Sequence, residues 1–188
     1  MISLPFRRSP QGPNIDALYG MIVAQARSKA FYRDYGVPDT VSGRLDMIML
    51  HLVLLLRQLN GSQGATSSSG SQLFTRFCRD MDDNFREMGV GDLTVPKEMR
   101  KVAEAFYGRA KVYEAALTGD GSLEGAIARN VFGVSKPSQG ALRLAAYMRE
   151  ANQRLEVRGV GENPSSHSGL DFPDPEAVPV LSSEGSEE

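Results

Sequence analysis

The stretch Met47 to Leu56 reads MIMLHLVLLL, apolar at every position but His51 and bounded by Asp46 and Arg57. It is about half as long as the roughly 20 residues a bilayer crossing needs, so it does not span a membrane. It is also too uniformly apolar to lie with one face in water. Such a segment must be enclosed by other elements, which predicts a central buried helix and requires the rest of the chain to supply amphipathic covers for it.

Apolar residues elsewhere recur with a period near 3.6 and nowhere alternate, so the fold class is all-α. Leu18, Ile22, Ala26 and Ala30, with Tyr19 and Val23, mark a first helix that opens at Asn14 and ends near Tyr35 and Gly36. Asp39 or Thr40 caps the central helix, which runs to about Asn60. Phe74, Phe77, Met81, Phe85 and Met88 form one stripe of a third helix after Ser71. Pro96 starts a fourth, with Met99, Val102, Phe106, Ala110, Tyr113 and Leu117 inward. Ser122 caps a short helix holding Leu123, Ile127 and Val131. Ser135 or Pro137 begins the last, through Leu142, Ala145, Met148 and Leu155. The expected architecture is a single compact bundle of about six helices over residues 14–158, after a flexible N-terminal segment 1–13. The run GSQGATSSSG, residues 61–70, has almost nothing to bury and is expected to be a flexible loop.

Charge divides the chain. Residues 1–158 carry 21 Lys and Arg against 16 Asp and Glu, whereas residues 159–188 carry seven acids and no Lys or Arg. Gly, Pro and Ser make up 14 of those last 30 residues, so 159–188 is expected to be a disordered acidic tail, either solubilising or shielding the basic body. Arg7 and Arg8 are followed by Pro10, Gly12 and Pro13 instead of an apolar run, so no secretory signal is read.

Chemistry is sparsely represented. One cysteine, Cys78, and two histidines, His51 and His167, exclude a multi-cysteine zinc site and a His-rich metal centre. Cys78 has Arg76 and Arg79 near it in sequence but no base, and reads as a half-buried small residue. Asp80-x-Asp82-x-Asn84 opens like a calcium loop, but Phe85 stands where the turn glycine belongs and Gly91 where the final Glu belongs. Gly89-Val90-Gly91-Asp92 lacks the lysine and preceding strand of a phosphate loop. His51 reads as an interior residue with satisfied hydrogen bonds, the alternative being a haem or metal ligand for which no second ligand is visible. The basic excess is modest and carries no nucleic-acid motif. No catalytic constellation and no cofactor site is predicted, and no specific DNA binding.

Ordered blocks of residues carry a resemblance. Tyr19-x-x-Ile22-Val23-x-Gln25-Ala26-Arg27 is followed by Phe31-Tyr32, Gly36-Val37-Pro38-Asp39-Thr40, Gly43-Arg44-x-Asp46 and Leu50-His51. Then come Asp80-Met81-Asp82, Arg86 through Leu93 as REMGVGDL, Val95-Pro96-Lys97-x-Met99-Arg100-Lys101 and Ala105-Phe106-Tyr107-Gly108-Arg109. From Asn14 to Phe132 this succession resembles the ubiquinol-cytochrome c chaperone family. Leu45 stands where the family pattern leads one to expect an aromatic.

The resemblance implies an all-helical, non-enzymatic assembly factor for respiratory complex III, whose mitochondrial relatives bind newly made cytochrome b, with a small partner protein, near the ribosome. It also implies a bacterial, cytoplasmic member that meets the inner membrane peripherally, through its client. A second reading is a ribosome- or RNA-associated helical regulator, and a third is an unrecognised enzyme. A chaperone needs a surface, not a dyad. The candidate partner-binding residues are Asp39, Arg44, Asp46, Asp83, Glu87, Gly89, Gly91, Asp92, Lys97, Arg100, Lys101, Tyr107 and Arg109. The corner from Met88 to Lys101 is either part of that surface or only a turn of the fold, with Gly89 and Gly91 relaxing the backbone so that Asp92 lies beside the N-H groups of the next helix.

Overall fold

In the computed structural model, residues 14–61, 67–158 and 171–178 are described. Among these the chain forms seven α-helices and no strand: α1 (Ile15–Ala26), α2 (Lys29–Arg33), α3 (Val41–Asn60), α4 (Ser68–Glu87), α5 (Val95–Leu117), α6 (Leu123–Asn130) and α7 (Gln139–Arg158). The all-α class is as the periodicity predicts. The extra helix arises because the first predicted one is broken at Arg27 and Ser28, where the Tyr32 hydroxyl donates to the Ala26 carbonyl at 2.7 Å and replaces a ladder bond.

α3 is the axis. It packs against α1, α4, α5 and α7, while α6 bridges α5 and α7. Met47, Met49, Leu50, His51, Leu52, Val53, Leu54 and Leu55 are all buried, so this helix has no solvent face through its middle, as its composition requires. Thr40 caps it, its side chain accepting from Gly43 N at 3.1 Å. Asp39, the other candidate cap, pairs with Arg44 instead.

Two boundaries differ from the sequence reading. Ser67, not Ser71, caps α4: its hydroxyl accepts from Gly70 N at 2.9 Å, and its own N-H donates to Asn60 Oδ1 at 3.0 Å. Residues 67–70 are therefore a helix start tied to the end of α3, and the rest of the expected loop, 62–66, lies outside the described residues. α7 begins after Ser138, whose hydroxyl accepts from Ala141 N at 3.2 Å.

The inward stripes also shift by a position in places. On α4 the core line is Leu73, Phe77 and Met81, with Phe74 and Phe85 half-buried beside it and Met88 exposed. On α7 the sequence reading missed Tyr147, which is fully buried.

The acidic tail is where expectation and structure diverge most. Residues 171–178 return to the body, burying Phe172 and Val178, so this part of the predicted disordered tail is packed; 159–170 and 179–188 lie outside the described residues. An aromatic, a valine and two prolines give this short piece the apolar surface that the average composition of the tail conceals.

α7 approaches the end of α2 so closely that only glycine fits at its start. A Cβ on Gly140 would lie 2.1 Å from the Tyr35 carbonyl oxygen and 3.1 Å from the Phe132 ring. Because the nearest obstacle is backbone, Gly140→Ala is expected to lower stability by on the order of 1–3 kcal/mol. Thermal denaturation followed by circular dichroism measures it; Gly108→Ala, where a Cβ would meet nothing within 4 Å, should lose nothing.

Candidate functional site

His51 is fully buried, and its chemistry is settled by its partners. Nδ1 lies 2.7 Å from the Met47 carbonyl, so it carries the proton, and Nε2, 2.8 Å from the Tyr147 hydroxyl, accepts. Tyr147 in turn accepts from Gln25 Nε2 at 3.0 Å. Both imidazole nitrogens are thus engaged within the fold, and Phe31, Tyr147 and Phe172 surround the ring edge-on. The residue is an interior one with a complete set of hydrogen bonds. Among the described residues no group of three or more His, Cys, Asp and Glu is placed to hold a metal ion. Cys78 is half-buried, and burial pushes its thiol up, away from the reactive thiolate.

The predicted charged residues separate into three places. Asp46 and Arg109 meet at 2.6 Å between α3 and α5, largely enclosed, with Arg109 Nη1 also donating to the Ala105 carbonyl at 3.2 Å. This pair ties the central helix to its cover and is not open to a partner. Asp39 and Arg44 form an exposed pair at 2.7 Å at the start of α3.

Asp83, Glu87, Gly89, Gly91, Asp92, Lys97, Arg100 and Lys101 are all exposed where α4 turns into α5. Gly89 takes φ +80° there, as the turn demands; Gly91 does not have a positive φ, and a Cβ on it would meet nothing. Asp92 is not at the start of α5. Its carboxylate pairs with Arg86 of α4, which also holds Asp82 at 2.7 Å. A guanidinium within reach outweighs the partial charge of a helix end. Lys101 is engaged by Glu98 at 2.8 Å. Met88 is 58% and Leu93 99% exposed, so the corner presents apolar side chains among its charges.

Tyr107 opens onto the feature that sequence reasoning missed. α4 and α5 part above α3 to leave a groove of about 400 Å³, floored by Val53 and Phe106, walled by Leu56, Phe74 and Ala110, and edged by Tyr107, which is 60% exposed. Phe74 stands 5.0 Å from Phe106 and 5.6 Å from Tyr107 between ring centroids. One end is closed by Arg57, which pairs with Glu114 and donates to Asn152 Oδ1 at 3.1 Å. Phe74 and Phe106 were readable in the sequence, but as core; their stripe is wider than α3 alone can cover. A groove with an aromatic floor and a charged end suits an apolar helix or a large side chain presented by another polypeptide.

Residues 33–157 match the ubiquinol-cytochrome C chaperone family. The chain belongs to that family. Among solved structures, the crystal structure of the Cbp3 homolog from Brucella abortus is similar, with a TM-score of 0.73 and 32% identity over 88% of this chain and 91% of that one. No curated protein matches. A ubiquinol-cytochrome c chaperone serves assembly of the reductase. No helix among its described residues is long and apolar enough to cross a membrane.

Two buried groups give the fold an acid response of opposite signs. Burial lowers His51 to about 4 from 6.5, so the unfolded chain takes up a proton that the fold refuses; this contribution to stability is complete above about pH 6.5 and is lost as pH falls toward 4. Burial, partly offset by Arg109, pushes the Asp46 carboxyl up to about 6 from 3.8, so its contribution is complete below 3.8 and is lost as pH rises through 6. Between 4 and 6 the two slopes oppose. Asp46→Asn should therefore steepen the loss of stability on acidification from about pH 7 to about pH 4, and His51→Gln should flatten it, as measured by denaturant titration across that range. At the corner, Gly89→Ala should cost about 1 kcal/mol and Gly91→Ala almost nothing, by the same measurement.

Proposed function

We propose that this chaperone holds newly made cytochrome b through the groove between α3, α4 and α5, with the charged corner from Met88 to Lys101 as its flank. The observation that carries the reading is the half-exposed aromatic wall of Phe74 and Tyr107 beside buried Phe106, in a family whose members serve assembly of ubiquinol-cytochrome c reductase. A nascent membrane protein offers long apolar helices, and a groove of this width and lining can shelter part of one before it is enclosed by its own partners.

The binding energy is expected to sit in the aromatic residues, because clustered rings on a desolvated floor yield more than exposed charges do. Lys97 and Arg100, exposed at the start of α5, set approach and orientation through an acidic or phosphate-bearing surface near the client. Asp46 and Arg109 hold the wall of the groove in place from behind. The work of the protein is then done at the membrane face, where the client emerges from the ribosome, with a small partner subunit as a further candidate ligand of the corner.

Two sets of variants test this. Tyr107→Ala with Phe74→Ala should leave the helical spectrum in place while reducing recovery of cytochrome b in pull-downs by about tenfold or more and lowering complex III in cells. Arg100→Glu with Lys101→Glu should weaken capture less and in a salt-dependent way. Undiminished capture by the Phe74 and Tyr107 double variant removes the groove from the account.

A further inference from the structure

Residues 171–178, DFPDPEAV, lie across the cleft between α1, α2 and α7, above His51. Phe172, 7% exposed, meets the His51 ring edge-on with centroids 4.8 Å apart. The Pro173 carbonyl accepts from Gln25 Nε2 at 2.8 Å and the Pro175 carbonyl from the Tyr35 hydroxyl at 2.6 Å. Asp174 closes a turn, its side chain accepting from Glu176 N at 2.9 Å and its carbonyl from Ala177 N at 3.1 Å. Glu176 reaches Arg33 at 3.1 Å. Val178 is buried at the end of the segment.

These are the contacts of a bound peptide. One aromatic is the anchor, two prolines lose little conformational freedom on binding and offer carbonyls without competing N-H groups, and Glu176 pairs with Arg33, which also holds Asp34. Arg143, whose guanidinium lies 4.3 Å over the Tyr35 ring and donates to the Asp34 carbonyl at 3.2 Å, braces the Tyr35 side of the cleft. The hydrogen bonds to Pro173 and Pro175 come from side chains that water can serve when the segment leaves. The hydrogen bonds of His51 do not depend on the segment, since both of its nitrogens are bonded within the body. The family match also ends at residue 157, before it.

We infer that this cleft is a peptide-binding site, filled by the chain's own segment 171–178 and open to a partner that presents an extended aromatic-Pro-x-Pro sequence among acids. The segment is a tethered competitor. Residues 159–170 join it to α7 in sequence, so it competes for the cleft as part of the same chain, which favours it over a free ligand of equal intrinsic affinity.

The test is a protease site inserted within 159–170 of the full chain, cut after folding, with a labelled synthetic DFPDPEAV peptide as the probe. The cut chain should stay helical and monomeric, release its own segment on dilution, and bind the probe about tenfold or more tighter than the uncut chain. A probe with alanine for its phenylalanine should lose that binding, and so should the wild-type probe against a cut chain carrying Gln25→Ala. The uncut Phe172→Ala chain, its competitor weakened, should bind the wild-type probe as the cut chain does. Unfolding upon release, equal binding by cut and uncut wild-type chains, no probe binding to the Phe172→Ala chain, or release only into segment-exchanged dimers would each overturn the proposal.

Discussion

A helix enclosed on every side can hold an imidazole only if both ring nitrogens find partners inside the protein, and the 2.8 Å hydrogen bond from Tyr147 to His51 Nε2 supplies the second of them. The first is the Met47 carbonyl one turn back on the same helix. Because Tyr147 belongs to α7 and is itself held by Gln25 of α1, this one contact fixes the rotation of two helices about α3. An apolar side chain at position 51 would fill the space but would leave the register of α1 and α7 against α3 to hydrophobic packing, which is tolerant of rotation.

With α1 and α7 locked on one side of α3, the other side has only α4 and α5 to cover it. These are clamped at their far edges, α4 to α1 through Tyr19, whose hydroxyl donates to Asp80 at 2.8 Å, and α5 to α3 through Asp46 and Arg109. Arg76, 4.8 Å over the Tyr19 ring, adds to the first clamp. Between the clamps the two helices do not close, and Phe74, Phe106 and Tyr107 are left on the walls of the opening. The groove is thus a consequence of where the covers are pinned. Pinned edges suit a binding surface, since pre-set walls lose little freedom when a ligand enters.

Much of this was legible in the sequence. The central helix followed from MIMLHLVLLL, its cap from the choice between Asp39 and Thr40, and the Ser122 cap from a hydroxyl before an apolar stripe; Gly36 takes φ +69° as expected, although α2 already ends at Arg33. The family followed from blocks that run through both clamps, including Asp46 and Arg109. The groove was not legible, because a half-buried Phe74 and a buried Phe77 carry the same periodic signal and only the spacing of helices tells them apart. Nor was the destination of Asp92, which depends on Arg86 reaching across a turn. Residues 171–178 escaped because composition averaged over thirty residues hides a short segment with an aromatic and two prolines.

The central claim is that the client is held in the opening between α4 and α5. A photo-crosslinking amino acid placed at Tyr107 on the lip of the groove, and in a parallel strain at Val157 on α7, which is 87% exposed, tests it in cells during complex III assembly. The account predicts a crosslink to cytochrome b from position 107 and none from position 157. A crosslink from 157 alone would contradict it and move the binding surface to the exposed face of α7.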